Sequence, residues 1–145
     1  MIQEEKQLLL KDLSARLPYR VKITCFKNGA LTPYLIDFRD STIHATSDFS
    51  GTYIKVQLED CKIYLRSLSS MTEEEKDELY DWGWVCEENN IYSDGSSDAN
   101  NVYQNYQKDI QDVKWLIDWL LEHHFDYRGL IEKGLALEAP ENMYK

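Results

Sequence analysis

The sequence predicts an α+β domain, and three observations carry that prediction. Apolar residues recur at helical spacing over residues 2–17, alternate over residues 19–66, and return to helical spacing in two segments after residue 72. The 145 residues are 43% hydrophobic and 29% charged, ordinary proportions for a globular chain long enough to bury its own core. Residues 1–145 therefore read as one domain. It has a helix over 1–17, then antiparallel strands over 19–68 forming a small sheet or SH3-like barrel. An acidic helix and a long C-terminal helix follow within 72–145, separated by a polar insert at 87–105.

In the first helix Leu10, Leu13 and Leu17 share one face, with Ile2 and Leu9 beside it, and Pro18 stops the helix at Leu17. Tyr19, Val21, Ile23 and Cys25 then point one way while Arg20, Lys22 and Thr24 point the other. Asn28-Gly29 has the chemistry of a tight hairpin. A strand over 34–38 sets Tyr34, Ile36 and Phe38 on one face with Pro33 at its start. Further extended pieces cover 42–46, 53–58 (Ile54, Val56 and Leu58 inward) and 61–65, with a turn at 47–52.

Thr72 followed by Glu75 is a capping box that opens the acidic helix, which runs to Tyr80 or Asp81 and buries Leu79 and Trp82. Gly83 ends it. The insert carries turn chemistry at Asp94-Gly95, and pairing of Ile91–Tyr92 with Val102–Tyr103 is one arrangement it allows. The segment Trp115–Ile131 dominates the rest of the chain. Tyr106, Ile110, Val113, Ile117, Leu120 and Leu121 fall on one helical face, which Trp115, Leu116 and Trp119 widen. His123 and His124 occupy the last turn, and Leu130–Leu137 adds one short helical turn before Pro140.

The net charge of −10 is concentrated. Residues 1–72 carry +2, residues 73–98 carry −9 with Lys76 as their one base, and residues 99–145 carry −3. Such a field opposes duplex DNA and favours a basic partner, although a merely solvated acidic face has the same composition. The absence of a long apolar run and of a basic, apolar N-terminal leader points to a cytoplasmic protein with no membrane partner. Cys25, Cys61 and Cys86 are odd in number and widely spaced, which argues for reduced thiols and against a zinc site.

Chemistry-bearing motifs are sparse. His123-His124 with Asp126 resembles a metal cluster in composition, but adjacent helical residues diverge by about 100° and do not share one ion. No nucleophile elbow, Walker loop or dinucleotide fingerprint is present, so no catalytic residue and no cofactor are assigned. Lys22, Lys55 and Lys62 alternate outward and offer a weak basic face for single-stranded nucleic acid. Asp126-Tyr127-Arg128-Gly129 reads either as a recognition turn or as a C-terminal staple, with Arg128 on helix carbonyls and Gly129 at positive φ. Of the two rings flanking Gly83, Trp84 is expected to be the exposed one.

The segments SSMTEEEK (69–76) and FDYRGLIEKGLALEAPENMY (125–144), with the connection Leu58–Thr72, resemble a family of small bacterial proteins found in gut Bacteroidales genomes, often in prophage-like or mobile regions. The chain departs from that family in the 87–105 insert and in Glu132–Lys133, where proline and methionine are expected. The resemblance implies provenance and carries over no functional residue. The leading expectation is a non-catalytic accessory protein that binds another protein, through Trp84 or through Asp126, Tyr127 and Arg128. The runner-up is an acidic DNA mimic that inhibits a DNA-binding protein through Glu73, Glu74, Asp77 and Glu78; a small enzyme or nucleic-acid binder comes third.

Overall fold

The computed structural model describes residues 1–25, 28–93 and 110–144. Among the described residues three α-helices, α1 (Gln3–Arg16), α2 (Glu73–Asp81) and α3 (Ile110–Glu122), combine with eight strands. In chain order these are β1 (Ile23–Cys25), β2 (Ala30–Asp37), β3 (Thr42–Ser47), β4 (Tyr53–Gln57), β5 (Cys61–Leu65), β6 (Trp84–Glu87), β7 (Asn90–Ser93) and β8 (Ala136–Glu138).

Helix α1 gives way at Leu17 to a 3-10 turn, Leu17–Tyr19, with Pro18 inside it. Its buried stripe differs from the expected one. Leu9, Asp12, Leu13 and Arg16 are buried, whereas Leu10 and Leu17 lie at the margin and Ile2 is exposed. Positions i, i+3, i+4 and i+7 define one helical face, and here two of its four members are charged.

β1 to β5 form consecutive antiparallel ladders in the spatial order β4-β3-β2-β1-β5, and β8 adds in parallel beside β5. The sheet is therefore mixed, and not purely antiparallel. Among the described residues no ladder joins β4 to β8, so the strands form an open sheet instead of a closed barrel. β1 is shorter than expected: Tyr19 sits in the 3-10 turn, although Val21, Ile23 and Cys25 are buried as the alternation requires. β2 is longer, and its alternation changes phase at a bulge between Pro33 and Leu35. Leu31, Pro33 and Ile36 are consequently buried and Tyr34 faces outward, while Phe38 is exposed in the turn that follows β2. Pro33 sits mid-strand, at the bulge, where a missing amide is tolerated.

Sheet and α1 enclose one hydrophobic cluster, centred on Leu9, Leu13, Ile23, Leu31, Ile43 and Ile63. Cys25 and Cys61 face each other in it across β1 and β5, and burial pushes both thiols up. A second cluster gathers Leu79 of α2, Trp84 and Cys86 of β6, Leu116, Trp119 and Leu120 of α3, and Leu68, Met71 and Phe125 from the segments that flank α2 and α3. Helix α3 reaches it through Leu116, Trp119 and Leu120 and also buries Leu121, while Ile110 is 82% exposed and Val113 is exposed too. The stripe drawn through Ile110 and Val113 is thus rotated away from the core; Tyr106 lies outside the described residues.

Two corrections concern the segments around α3. The insert begins inside a hairpin, because Ile91 and Tyr92 pair with Cys86 and Val85 of β6. Val102 and Tyr103 lie outside the described residues. Residues 130–137 end in strand β8, since Ala136 and Leu137 find free backbone partners along the edge of β5.

Candidate functional site

Helix α2 begins as its capping box requires: Thr72 Oγ1 accepts from the Glu75 amide at 3.2 Å, and a Glu75 carboxylate oxygen accepts from the Thr72 amide at 3.0 Å. That reciprocal bond turns Glu75 inward, where it meets Arg66 in a bidentate pair of 2.6 and 2.8 Å. Burial alone would raise the Glu75 carboxyl, but the Arg66 guanidinium and the Thr72 donors outweigh it and hold the carboxyl below its usual range. The remaining acids stay outside. Glu73, Glu74, Asp77, Glu78 and Asp81 are all exposed, with Lys76 bonded to Glu73 at 3.3 Å as the helix's one base.

At the end of α2 the chain turns on Gly83, whose φ of +83° suits glycine far better than any side chain. The turn exchanges the expected roles of the two tryptophans. Trp84 opens β6 with Cys86 on its inner face, and it is 7% exposed within the second core cluster. Trp82, the capping residue of α2, is 54% exposed and stacks on Trp115 at 4.7 Å. The exposed ring is therefore Trp82, and Trp84 is core. Trp115, Trp119 and His123 follow one another at i, i+4 and i+8 on α3, and their rings stack in a column that starts at Trp82.

Asp126, Tyr127 and Arg128 form a structural tie. The Asp126 carboxylate is buried and accepts the amides of Leu130 and Ile131, both at 2.9 Å. Arg128 bonds Asp12 on α1 at 3.0 Å and the Tyr127 hydroxyl at 2.8 Å. The staple reading thus survives in an altered form: Gly129 has its positive φ (+74°), but Arg128 binds a carboxylate and not helix carbonyls. Asp12 also holds Arg16, at 2.7 and 3.2 Å, and Arg16 in turn donates to the Phe125 carbonyl at 2.8 Å. Both partners of the Asp12–Arg16 pair are fully buried.

A cavity of about 600 Å³ opens where the N-terminus of α2, the C-terminus of α3 and the tail after β8 converge. Arg66, Glu74, Glu122, His124, Glu138 and Tyr144 are among its walls. His124 ends α3 in a Schellman arrangement: its amide bonds Leu121 O, the Phe125 amide bonds Leu120 O, and its own φ is +64°. Glycine is the commonest occupant of such a position, and histidine is, with asparagine and aspartate, among the other residues enriched there. Its ring stacks on Tyr144 at 3.6 Å. The Tyr144 hydroxyl accepts the Lys22 amide at 2.8 Å and donates to the Tyr64 carbonyl at 2.7 Å, inserting itself between β5 and the chain leading into β1.

Burial, reinforced by the charges of Arg16 and Arg66, pushes the His124 imidazole down to about 4. A folded-state value below the unfolded one, about 6.5, means that the unfolded chain takes up the proton first. Stability on this account is complete above pH 6.5 and is lost as pH falls toward 4. Between pH 7 and 4.5 the protein should lose about 2–3 kcal/mol through this group. His124→Asn, which tolerates the same backbone, should flatten that part of the urea-denaturation profile. An unchanged slope in the variant would show that other groups set it.

Lys22, part of the expected basic face, bonds Thr32 at 2.7 Å and Asp48 at 2.9 Å, so Asp48 neutralises its charge. Among the described residues no group of three or more His, Cys, Asp and Glu side chains is placed to hold a metal ion. No described helix is long and apolar enough to cross a membrane. Comparison with protein-family models, curated proteins and solved structures finds no match.

Sequence reasoning missed Asp12, Arg16, Arg66 and Tyr144, weighed His124 only as a metal ligand, and placed Trp82 in the core. A signal existed for the first two: Asp12 and Arg16 lie on the helical stripe of Leu9 and Leu13, an apolar face interrupted by a matched charge pair.

Proposed function

We infer that the chain is a non-catalytic binding protein that docks a basic protein on the outer face of α2. The observation that carries this reading is the one-sided surface of that helix. Glu73, Glu74, Asp77, Glu78 and Asp81 are all exposed, and the row runs into exposed Tyr80 and Trp82. Charge complementarity steers a basic partner and sets its register, while large rings at the edge of a charged field supply desolvated contact area. Origin in phage or other mobile DNA, implied by the resemblance of residues 69–76 and 125–144, belongs to the same proposal, as does a cytoplasmic setting.

The test is affinity capture from the source cell's lysate by the native chain and by a Glu73→Gln, Glu74→Gln, Asp77→Asn, Glu78→Gln variant. These side chains are exposed, so the variant should keep its melting temperature. It should lose a basic partner that the native chain retains, and raised salt should release that partner too. Capture indifferent to both changes would end the reading. If the partner binds DNA and duplex DNA displaces it, the acidic helix acts as a mimic of phosphates.

A further inference from the structure

The outer face of β2, β3 and β4, turned away from the α1 side of the sheet, carries rings and charges that the fold does not use. Register sets His44 of β3 opposite Lys55 of β4 and Thr46 opposite Tyr53, while Ile43, Ala45 and Val56 alternate into the core under α1. The bulge in β2 adds to this face. It leaves Tyr34 without a partner on β3, so Tyr34 and Leu35 both turn outward, each 50% exposed. The Tyr34 ring meets Tyr53 in a T-shaped contact at 5.9 Å and lies tilted against His44 at 6.3 Å. A T-shaped contact covers at most one face of one of the two rings. Tyr53 is accordingly 78% exposed, and Phe49, in the turn just before it, is 99% exposed.

Charge is the second observation. β2 contributes one acid to this face, Asp37, which holds Arg39 at 3.1 Å. The turn between β3 and β4 contributes Asp48, which holds Lys22 at 2.9 Å. Lys55 and Lys62 are exposed and form no ion pair among the described residues. Lys62 of β5 stands opposite Thr24 of β1, outward like Lys55. Four strand spacings separate β4 from β5, about 19 Å, so a chain crossing the sheet meets an unpaired cation at each side and the ring cluster beside Lys55. In a protein of net charge −10, the bases here outnumber the acids. Salt screens exposed charges more than about 8 Å apart at physiological ionic strength, so these lysines outweigh the net field for a ligand seated on them.

We infer that this sheet face binds a single-stranded nucleic acid. Each base of a single strand offers a π-face to an exposed ring, and its phosphates offer the counter-charge that Lys55 and Lys62 lack. A duplex keeps its base faces stacked within itself, so the rings find nothing to stack on and the net charge opposes the rest. A neutral glycan fits the rings but leaves both lysines unmatched. DNA and RNA share the chemistry of base faces and phosphates, and either is a source of the strand. No residue of α2 takes part, so this site is independent of the docking surface for a basic protein.

Fluorescence anisotropy with labelled oligo(dT) and oligo(rU) of about 12 nucleotides, and with a duplex of the same length, tests the site. Both single strands should bind saturably, and the duplex at least tenfold more weakly. Tyr53→Thr removes a ring but keeps a strand-forming residue, and Lys55→Gln removes one cation. Both side chains are exposed, so the variants should keep their melting temperatures. Tyr53→Thr should weaken single-strand binding about tenfold or more through lost stacking. Lys55→Gln should weaken it about threefold and make its salt dependence shallower. Equal affinity for the two oligonucleotides would support recognition of base faces and phosphates alone; tighter binding of oligo(rU) would support an RNA strand read through its 2′-hydroxyls as well. No saturable binding of either single strand, duplex binding as tight as theirs, or an affinity unchanged by Tyr53→Thr would overturn the proposal. A neutral oligosaccharide that binds the native chain but not Tyr53→Thr, with no oligonucleotide bound, would reassign the face to glycans and overturn it too.

Discussion

Replacing Asp12 by alanine is expected to destabilise the protein by about 3–5 kcal/mol, because it strands a buried cation. Asp12 accepts from Arg16 on one side and from Arg128 on the other, and neither Asp12 nor Arg16 is exposed at all. Without the carboxylate, Arg16 keeps a single bond to the Phe125 carbonyl and a glancing position over the Tyr127 ring at 5.7 Å. Its Nη1 has no hydrogen-bond partner even in the native protein, so little remains to offset the desolvated charge. Urea denaturation at pH 7 measures the loss. Asp12→Leu with Arg16→Met fills the same stripe without a buried charge and should cost less than the single change, the remaining loss coming from the Arg128 and Phe125 carbonyl bonds that go with the pair. A loss below about 1 kcal/mol for Asp12→Ala would mean that water reaches Arg16 once its partner is gone.

Asp12, Arg16 and Arg128 tie two distant parts of the chain together. α1 supplies Asp12 and Arg16, and the turn after α3 supplies Arg128 and the Phe125 carbonyl. Two residues back, the Arg66 amide and carbonyl pair with His124 and Asp126 around Phe125, while the Arg66 guanidinium lies 4.2 Å from the centre of the Phe125 ring. The α3 terminus is thus fixed from both the sheet side and the α1 side. His124, whose carbonyl accepts the Arg66 amide, and Tyr144, whose hydroxyl donates to the Tyr64 carbonyl, are held by that framework.

Local pattern made some of this legible. The strands over 42–46, 53–58 and 61–65 alternate cleanly, and they appear as β3, β4 and β5 within a residue or two. The Thr72–Glu75 capping box located the start of α2, because its reciprocal bonds depend on residues three apart and nothing else. What failed depended on contacts distant in sequence. β8 is three residues long and exists because β5 has a free edge. The bulge after Pro33 reverses the inside and outside within the strand, so alternation read straight through it misplaced Tyr34, and Phe38 is exposed because β2 has already ended at Asp37. The cavity was illegible for the same reason: Arg66, Glu75, His124 and Tyr144 meet only through tertiary packing, and none belongs to a spacing motif with the others.

The two tryptophans around Gly83 should separate stability from binding. Trp84→Ala removes a ring that packs among Leu68, Met71, Leu79 and Trp119, and an emptied core site of that size costs about 3–5 kcal/mol. Trp82→Ala removes a half-exposed ring whose stack on Trp115 is worth about 0.5–1.5 kcal/mol. Thermal denaturation should therefore show a large drop for the first variant and a small one for the second. Partner capture should fall for Trp82→Ala although the protein stays folded, since that ring ends the acidic row of α2. The Trp84→Ala chain has to be assayed well below its lowered melting temperature, where any folded fraction should still bind. Capture lost in the folded Trp84 variant but kept in the Trp82 variant would move the docking surface off α2 and toward the β6–β7 hairpin, where Tyr92 is exposed beside Val85.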